Sequence, residues 1–429
     1  MAVNKVNRLK GTQDIMPDEA CLWQEIEDIA RDTALTYGYR LIRTPIIEET
    51  ALFARSSGEE SDIVKKQIYS FPDQGGRDIC LRPEATASVC RAYIENHIDK
   101  AEGFVKLFYS GPMFRSERPQ AGRYRQFHQI GVEAIGSYSV YLDAEVIMLL
   151  DDMLKRFGVF GHVFHINSLG CAKDKSAIKA RIRQALKPSL NSLCPDCRRR
   201  YDTNILRVLD CKAPACRDII ADIKLGNTLC RECEQGFSTL QRLLQNACIE
   251  YAVDDRLVRG LDYYTGIVFE VTSSALGAQD ALAAGGRYDN LLSDLAGPRI
   301  GATGFALGLE RIIQAIKDKD ALKTRGSEAL KVFVISLGGA AREKCFYILS
   351  VLRKKGIACD MDYESRSFKA QMRHANKVNA GFVVIVGDEE LAGGECILKD
   401  MKDSSQRRIP FDGLAGEFNS VKMRTKRNA

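Results

Sequence analysis

The densest chemistry in the chain lies in the segment FYSGPMFRSERPQAGRYRQFHQIGVEAIG, residues 108–136, which holds Arg115, Arg118, Arg123 and Arg125 close together. Planar guanidinium forks match phosphate oxygens two at a time, so such a cluster suits a nucleoside triphosphate. A solvated charged loop would hold the same four arginines, and residue type alone does not separate the two readings. Three further segments carry useful groups: LRPEATA (81–87) with Glu84 and Thr86, LVRGLDYYTG (257–266) with Arg259, Tyr263 and Tyr264, and GFALGLERI (304–312) with Arg311. Taken singly, Arg259 reads as a surface partner of Asp254 or Asp255. The tyrosine pair reads as aromatic core. Gly-x-x-x-Gly-x-Glu-Arg reads as a helix start with one paired arginine.

Of fourteen cysteines, six fall between Cys194 and Cys233. Cys194-x2-Cys197 and Cys230-x2-Cys233 have the spacing of half-sites in tetrahedral zinc centres, and Cys211-x4-Cys216 lies between them. Two sets of four are open: the first pair with Cys211 and Cys216, or the first pair with Cys230 and Cys233. A set of reduced, metal-free thiols is the plainer alternative. The other eight cysteines are scattered singly, and the expectation for them is packing as small hydrophobes.

These groups need elements to hold them. Alternation over residues 105–135 predicts two strands joined by a long basic tip, with the arginines on or beside it. Before this hairpin, helical spacing runs from Pro17 to Tyr37, and YRLIRTPIIEE reads as one strand running into Pro45. After it come a helix over 143–157 and a buried strand, HVFHINSLG. Residues 171–247, rich in Lys, Arg and Leu at helical spacing, read as a mostly helical insertion. Strand patterning returns at IEYAVDDRLVRGLDYYTGIVFEVTS, followed by a Gly-Gly-Arg turn at 285–287, and TGFALGLERIIQAI passes from strand into helix. Beyond a charged linker at 318–329, strands (VFVISLG, IACDMD, FVVIVG, ECILKD) and helices (340–355, 365–379) predict a parallel or mixed α/β domain of about 100 residues.

A chain of 429 residues suggests two to three domains. Composition is that of a soluble globular protein, with 45% hydrophobic and 28% charged residues. No run approaches the ~18 apolar residues of a membrane helix, and MAVNKVNRLKGTQD lacks an apolar signal core, so the expectation is a cytoplasmic protein without membrane attachment. In that compartment a disulfide framework is not expected. The net charge of +6 permits a polyanionic partner without demanding one. Lys422, Arg424, Lys426 and Arg427 read as a solvated tail.

The order of the segments is more specific than any one of them. Phe-Arg-x-Glu, a basic loop and Arg-x-Phe-x-Gln resemble the second signature motif of class II aminoacyl-tRNA synthetases. YGYRLIRTPIIEE (37–49) is similar to the first motif and GFALGLERI to the third. LVRGLDYYTG, AAGGRYDNL (283–291) and LRPEATA resemble signatures of the histidyl-tRNA synthetase family within that class. The resemblance covers about residues 5–415 and thins in the insertion.

It implies an α/β (α+β) chain: an antiparallel-sheet catalytic domain over 1–325 with a helical insertion at about 171–248, and an anticodon-binding domain over 330–429. It implies a histidine–tRNA ligase, a homodimer, using ATP with Mg2+, L-histidine and tRNA(His). Arg115 and Arg259 would flank the α-phosphate as the catalytic pair. Glu117 and Phe127 would take the adenine, Arg311 the γ-phosphate, and Arg123 the nucleotide as well. Glu84, Ala85, Thr86, Gln129, Glu133, Tyr263 and Tyr264, with Arg115 and Arg259, would form the histidine pocket. Glu133 and Tyr264 would meet the two imidazole nitrogens, one donor and one acceptor, while Glu84, Thr86 and Gln129 would hold the ammonium group. Gln120 would approach the tRNA end. The basic stretch with Lys369, Arg373 and Lys377 would touch RNA phosphates. A structural Zn2+ on four of the six clustered cysteines is expected in addition. The rival is a catalytically silent synthetase-like regulatory subunit of histidine biosynthesis, which typically lacks the last domain and the intact LVRGLDYYTG.

Overall fold

The computed structural model describes residues 5–58, 61, 63–119, 122–223, 228–276, 281–319, 332–364 and 366–418. Gln120, most of the expected linker and the basic residues after 419 lie outside that set. The chain divides into two compact units, Met1–Lys323 and Thr324–Ala429.

Sixteen strands are named in chain order: β1 Arg40–Leu41, β2 Ile47–Glu49, β3 Tyr69–Pro72, β4 Asp78–Leu81, β5 Val105–Phe114, β6 Gln126–Ile135, β7 His162–Ser168, β8 Tyr251–Val253, β9 Thr265–Ser273, β10 Ala281–Arg287, β11 Ala302–Gly308, β12 Val332–Ser336, β13 Cys359–Met361, β14 Phe382–Val386, β15 Glu395–Asp400 and β16 Gln406–Pro410. The first unit is built on an eight-stranded sheet in the order β1-β5-β6-β11-β10-β9-β7-β8. It is antiparallel except for the outer pairs β1–β5 and β7–β8.

Strand side chains alternate between faces. Ile130, Val132, Ala134, Phe269, Val271, Phe305 and Leu307 point one way and bury against the helices Pro17–Thr36, Val140–Arg156 and Arg231–Asn246. Their neighbours Gln129, Glu133 and Glu270 point the other way. One row across that second face runs Leu107–Glu133–Gly304–Gly286–Val268. A Cβ on Gly304 would lie 2.2 Å from Glu133 Oε2, so the missing side chain is what gives the carboxyl its place. The sheet therefore has a packed back and a front floored with glycine and alanine.

Two expected elements differ. YRLIRTPIIEE is not one strand: β1 joins the large sheet, and β2 joins a separate antiparallel sheet ordered β2-β4-β3. Pro45 offers no N–H to a ladder, and the chain changes sheets there. Gly285–Arg287 is not a turn but the end of β10. Its glycines allow close strand approach, since a Cβ at Gly285 would lie 2.3 Å from the Gly304 carbonyl oxygen. Arg287 is a structural residue, buried and paired with Asp143 at 2.8 Å and Asp289 at 3.1 Å.

The insertion is helical, with helices Ala172–Leu186, Pro195–Thr203 and Pro214–Ala221 before Arg231–Asn246. In the second unit, β13-β12-β14 pair in parallel and β14-β15-β16 antiparallel, a mixed sheet with helices Gly339–Lys354 and Phe368–Lys377. The edge strand β16 was not foreseen.

Candidate active site

The front of the large sheet opens into a cavity of about 1310 Å3 lined by Glu84, Thr86, Arg115, Glu117, Arg123, Phe127, Gln129, Glu133, Arg259, Tyr263, Tyr264 and Arg311. All the expected histidine and nucleotide residues thus meet in one place except Ala85, which is buried behind the wall.

Glu133 forms the deep end. Its Oε1 accepts hydrogen bonds from the Thr86 hydroxyl at 2.7 Å and the Tyr109 hydroxyl at 3.3 Å, and Oε2 accepts from the Tyr288 hydroxyl. Burial pushes this carboxyl up to about 8, against the opposing pull of Tyr288 and Thr86. Tyr263 packs 4.8 Å from Tyr264 and 5.8 Å from Tyr288, ring centre to ring centre. Burial also lifts the Tyr264 hydroxyl to about 12, which leaves it a neutral donor and acceptor.

Glu84 is less open than expected. Its carboxylate accepts from the backbone N–H of Thr86 at 2.6 Å and of Ala87 at 3.0 Å, capping the helix Thr86–Glu95. Its charge still faces the cavity. Gln129 Oε1, by contrast, is a buried acceptor with no hydrogen-bond partner. A buried acceptor left unpaired costs about 1–3 kcal/mol, so a donor from outside the chain has a ready place there.

Four arginines ring the wider part. Arg115 follows the last residue of β5, and its Nε donates to the Pro83 carbonyl at 3.0 Å. Its guanidinium lies 5.1 Å over the Phe127 ring. Glu117 sits 4.0 Å from Arg115 and 3.6 Å from Arg123. Arg311 donates to the carbonyls of Ala281 at 2.5 Å and Gly122 at 3.5 Å, tying the hairpin tip to the floor. Arg259 pairs with Glu270 at 2.5 Å, not with Asp254 or Asp255, and its buried Nε has no partner. Among the cavity residues, the sequence reading missed Tyr288 and Glu270, and it missed Tyr109 behind Glu133. Tyr288 sits inside AAGGRYDNL, and Glu270 is the charged residue between Phe269 and Val271 in β9, so both had a visible signal.

The clustered cysteines divide between two groups. Cys194, Cys197, Cys211 and Cys216 offer four sulfurs within 4.8 Å of one another. This is the first of the two sets open in the sequence. The second set does not form, because Cys230 and Cys233 lie instead with Cys171 and Asp174, their donor atoms also within 4.8 Å. Cys171, expected to pack as a hydrophobe, is exposed in this group.

A family described as Histidyl-tRNA synthetase matches residues 11–312, and one described as Anticodon binding domain matches residues 331–420. Histidine--tRNA ligase of Desulforamulus reducens is 45% identical over 95% of this chain and 97% of its own length. The Geobacter sulfurreducens Histidine--tRNA ligase is also 45% identical over 95% of this chain and 97% of its own length. The solved apo histidyl-tRNA synthetase of S. aureus superposes with a TM-score of 0.81 at 34% identity, covering 96% of this chain and all, 100%, of that one. A chain described as an ATP phosphoribosyltransferase regulatory subunit/histidyl-tRNA synthetase from Bacillus halodurans, at 23% identity and a TM-score of 0.65, shares the fold alone. By these matches, which span both of its domains, the chain belongs to the histidyl-tRNA synthetase family.

Proposed function

We propose that this chain is a histidine–tRNA ligase, with residues 1–325 catalysing the reaction and residues 330–429 binding the anticodon. A carboxylate oxygen of histidine attacks the α-phosphorus of ATP, the bond to the bridging oxygen breaks, and pyrophosphate leaves. A hydroxyl of the terminal ribose of tRNA(His) then attacks the acyl carbon of the histidyl-adenylate and releases AMP.

The observation that carries this reading is the meeting of a buried carboxyl and four arginines in one cavity. Glu133 and Tyr264 receive the imidazole, one accepting from its N–H and the other donating to its second nitrogen. The partnerless Gln129 Oε1 takes the ammonium group. Thr86 accepts on its remaining lone pairs and Glu84 contributes charge. Arg115 and Arg259 flank the α-phosphate, where negative charge builds during attack, and the unpartnered Arg259 Nε is a free donor for it. One such preorganised group is worth about 3–4 kcal/mol. Glu117 and Phe127 hold the adenine, and Arg123 and Arg311 the outer phosphates.

Magnesium takes oxygen donors, and the carboxylates of Glu270 and Glu310 line the cavity. These would hold the ion that accompanies ATP, which would supply positive charge toward the leaving pyrophosphate. Zn2+ on Cys194, Cys197, Cys211 and Cys216 would close the fold of the insertion, since four thiolates suit a structural site.

Lys369, Arg373 and Lys377 lie exposed on one side of the helix Phe368–Lys377 and would meet RNA phosphates. We read the working form as a homodimer: Leu41, Ile46 and Ile47, from the segment resembling the first motif, are 51%, 40% and 51% exposed in the single chain. No described helix is long and apolar enough to cross a membrane, and tRNA charging is cytoplasmic work. The test is transfer of labelled histidine to a tRNA(His) transcript. Acid-precipitable histidine supports the reading; ATP and histidine binding without transfer would favour the silent regulatory subunit.

A further inference from the structure

We propose that Cys171, Asp174, Cys230 and Cys233 form a second metal site, for zinc or another thiophilic divalent ion, that clasps the two ends of the helical insertion together.

The four donor atoms lie within 4.8 Å of one another. The pairs are built alike: Cys171 is the N-cap of the helix Ala172–Leu186 with Asp174 at its third position, and Cys230 is the N-cap of the helix Arg231–Asn246 with Cys233 at its third. Cys194 and Cys197 repeat the plan on the helix Pro195–Thr203. N-cap and third-position side chains both gather at the mouth of a helix. Two mouths brought together set rows of unsatisfied N–H groups and two positive dipole ends face to face, an arrangement that calls for anionic groups between them.

Asp174 stands between them. Its Oδ2 accepts from the Cys171 N–H at 3.2 Å and its Oδ1 from the Cys230 N–H at 3.1 Å, so each oxygen keeps a lone pair for an ion. The residue is 3% exposed, yet no described lysine or arginine pairs with it. Buried carboxylates are found paired or on a metal, and here the groups at hand are three thiols. The backbone is fitted to this carboxylate as well. Gly170 has φ +63°, and a Cβ on it would lie 2.4 Å from Asp174 Oδ2.

The place matters for the reaction proposed above. Lys175, next to Asp174, donates to the backbone carbonyls of Asp262 at 3.2 Å and Tyr264 at 2.8 Å. Gly266 N–H donates to the Gly170 carbonyl at 3.0 Å. The clasp thus fixes the helix start that holds the Tyr263–Tyr264 loop.

Metal content tests the site whether or not the ligase reading stands. The full chain is purified without chelator from zinc-supplemented medium, and zinc per chain is measured for the native protein, Cys197→Ser and Cys233→Ser. Two ions in the native protein and one in each variant are expected. One ion or none in the native protein, or wild-type content in Cys233→Ser, overturns the proposal. Should Cys233→Ser fail to fold, cobalt loading of the native chain decides. Two absorption spectra, one for four sulfurs and one for three sulfurs and an oxygen, are expected, and a single one overturns it. Where Cys233→Ser folds, its KM for histidine in pyrophosphate exchange rises by about fivefold, about one lost hydrogen bond, with kcat little changed. An unchanged KM would remove the link to the tyrosine loop while the ion count still judged the site.

Discussion

Glu133 on the sheet and Asp174 in the insertion are both buried carboxyl groups without an arginine or lysine partner among the described residues, and they are held in different ways. Glu133 is met by three hydroxyls carried on three separate elements: Tyr109 on the neighbouring strand, Thr86 at the start of the helix Thr86–Glu95, and Tyr288 just past the end of β10. Asp174 is met by backbone N–H groups at two helix mouths, with thiols beside it. The sheet can place polar groups to the accuracy of its ladder because its back is a continuous apolar core. The insertion buries Ile178, Ile182, Leu186 and Ile220 against its own helices, and in our account metal–thiolate bonds tie their starts together.

If the two regions are held independently, changes on the sheet should alter catalysis and leave metal content untouched. Arg259→Ala should give the largest effect, a loss of about 10²–10³-fold in the histidine-dependent exchange rate. Its zinc content should stay at the wild-type level. Arg259→Lys should recover little, because a point charge does not replace the fork. An Arg259→Ala protein that also lost zinc would join the two regions and break the comparison.

The Glu133 carboxyl gives the next effect. Its ordinary value is 4.5 and the folded value about 8, so the fold retains a proton that the unfolded chain releases. The associated stability is present below about 4.5 and is lost as pH rises through about 8, by on the order of a few kcal/mol. Denaturant titrations of the ligand-free chain at several pH values should show this decline in the native protein and its absence in Glu133→Gln.

Gly304→Ala should cost about 1–3 kcal/mol, since the new methyl meets both Glu133 and the Val132 carbonyl at 2.2 Å. Chemical denaturation reads the cost, and a raised histidine KM should accompany it. Tyr264→Phe should be mildest, with about a tenfold fall in kcat/KM for histidine, one hydrogen bond to a buried ligand. A normal kcat/KM in that variant would move imidazole recognition away from Tyr264.

The sequence carried the site well because its residues fall in short, recognisable segments: the hairpin holds Arg115, Glu117, Arg123, Phe127, Gln129 and Glu133, and three other segments hold the rest. Alternation over residues 105–135 gave the two strands and the basic tip between them. The order of the motifs then told a phosphate site from a charged loop. What stayed hidden depends on contacts across the fold. The glycines of 285–286 look like a turn until the neighbouring strands show how close they pass. The strand break after Leu41 needs two sheets to explain it. Cys171 and Asp174 precede Cys230 and Cys233 by more than fifty residues, and an aspartate in place of a cysteine breaks the visible pattern. β16 is exposed except at Ile409, so its alternation is faint.

The measurement that bears most directly on the account is exchange of labelled pyrophosphate into ATP by the native chain, with each of the twenty amino acids in turn. The account predicts exchange with histidine alone. Exchange with another amino acid would mean that the pocket around Glu133 and Tyr264 is built for a different side chain, and no exchange from a folded, ATP-binding protein would contradict the ligase reading itself.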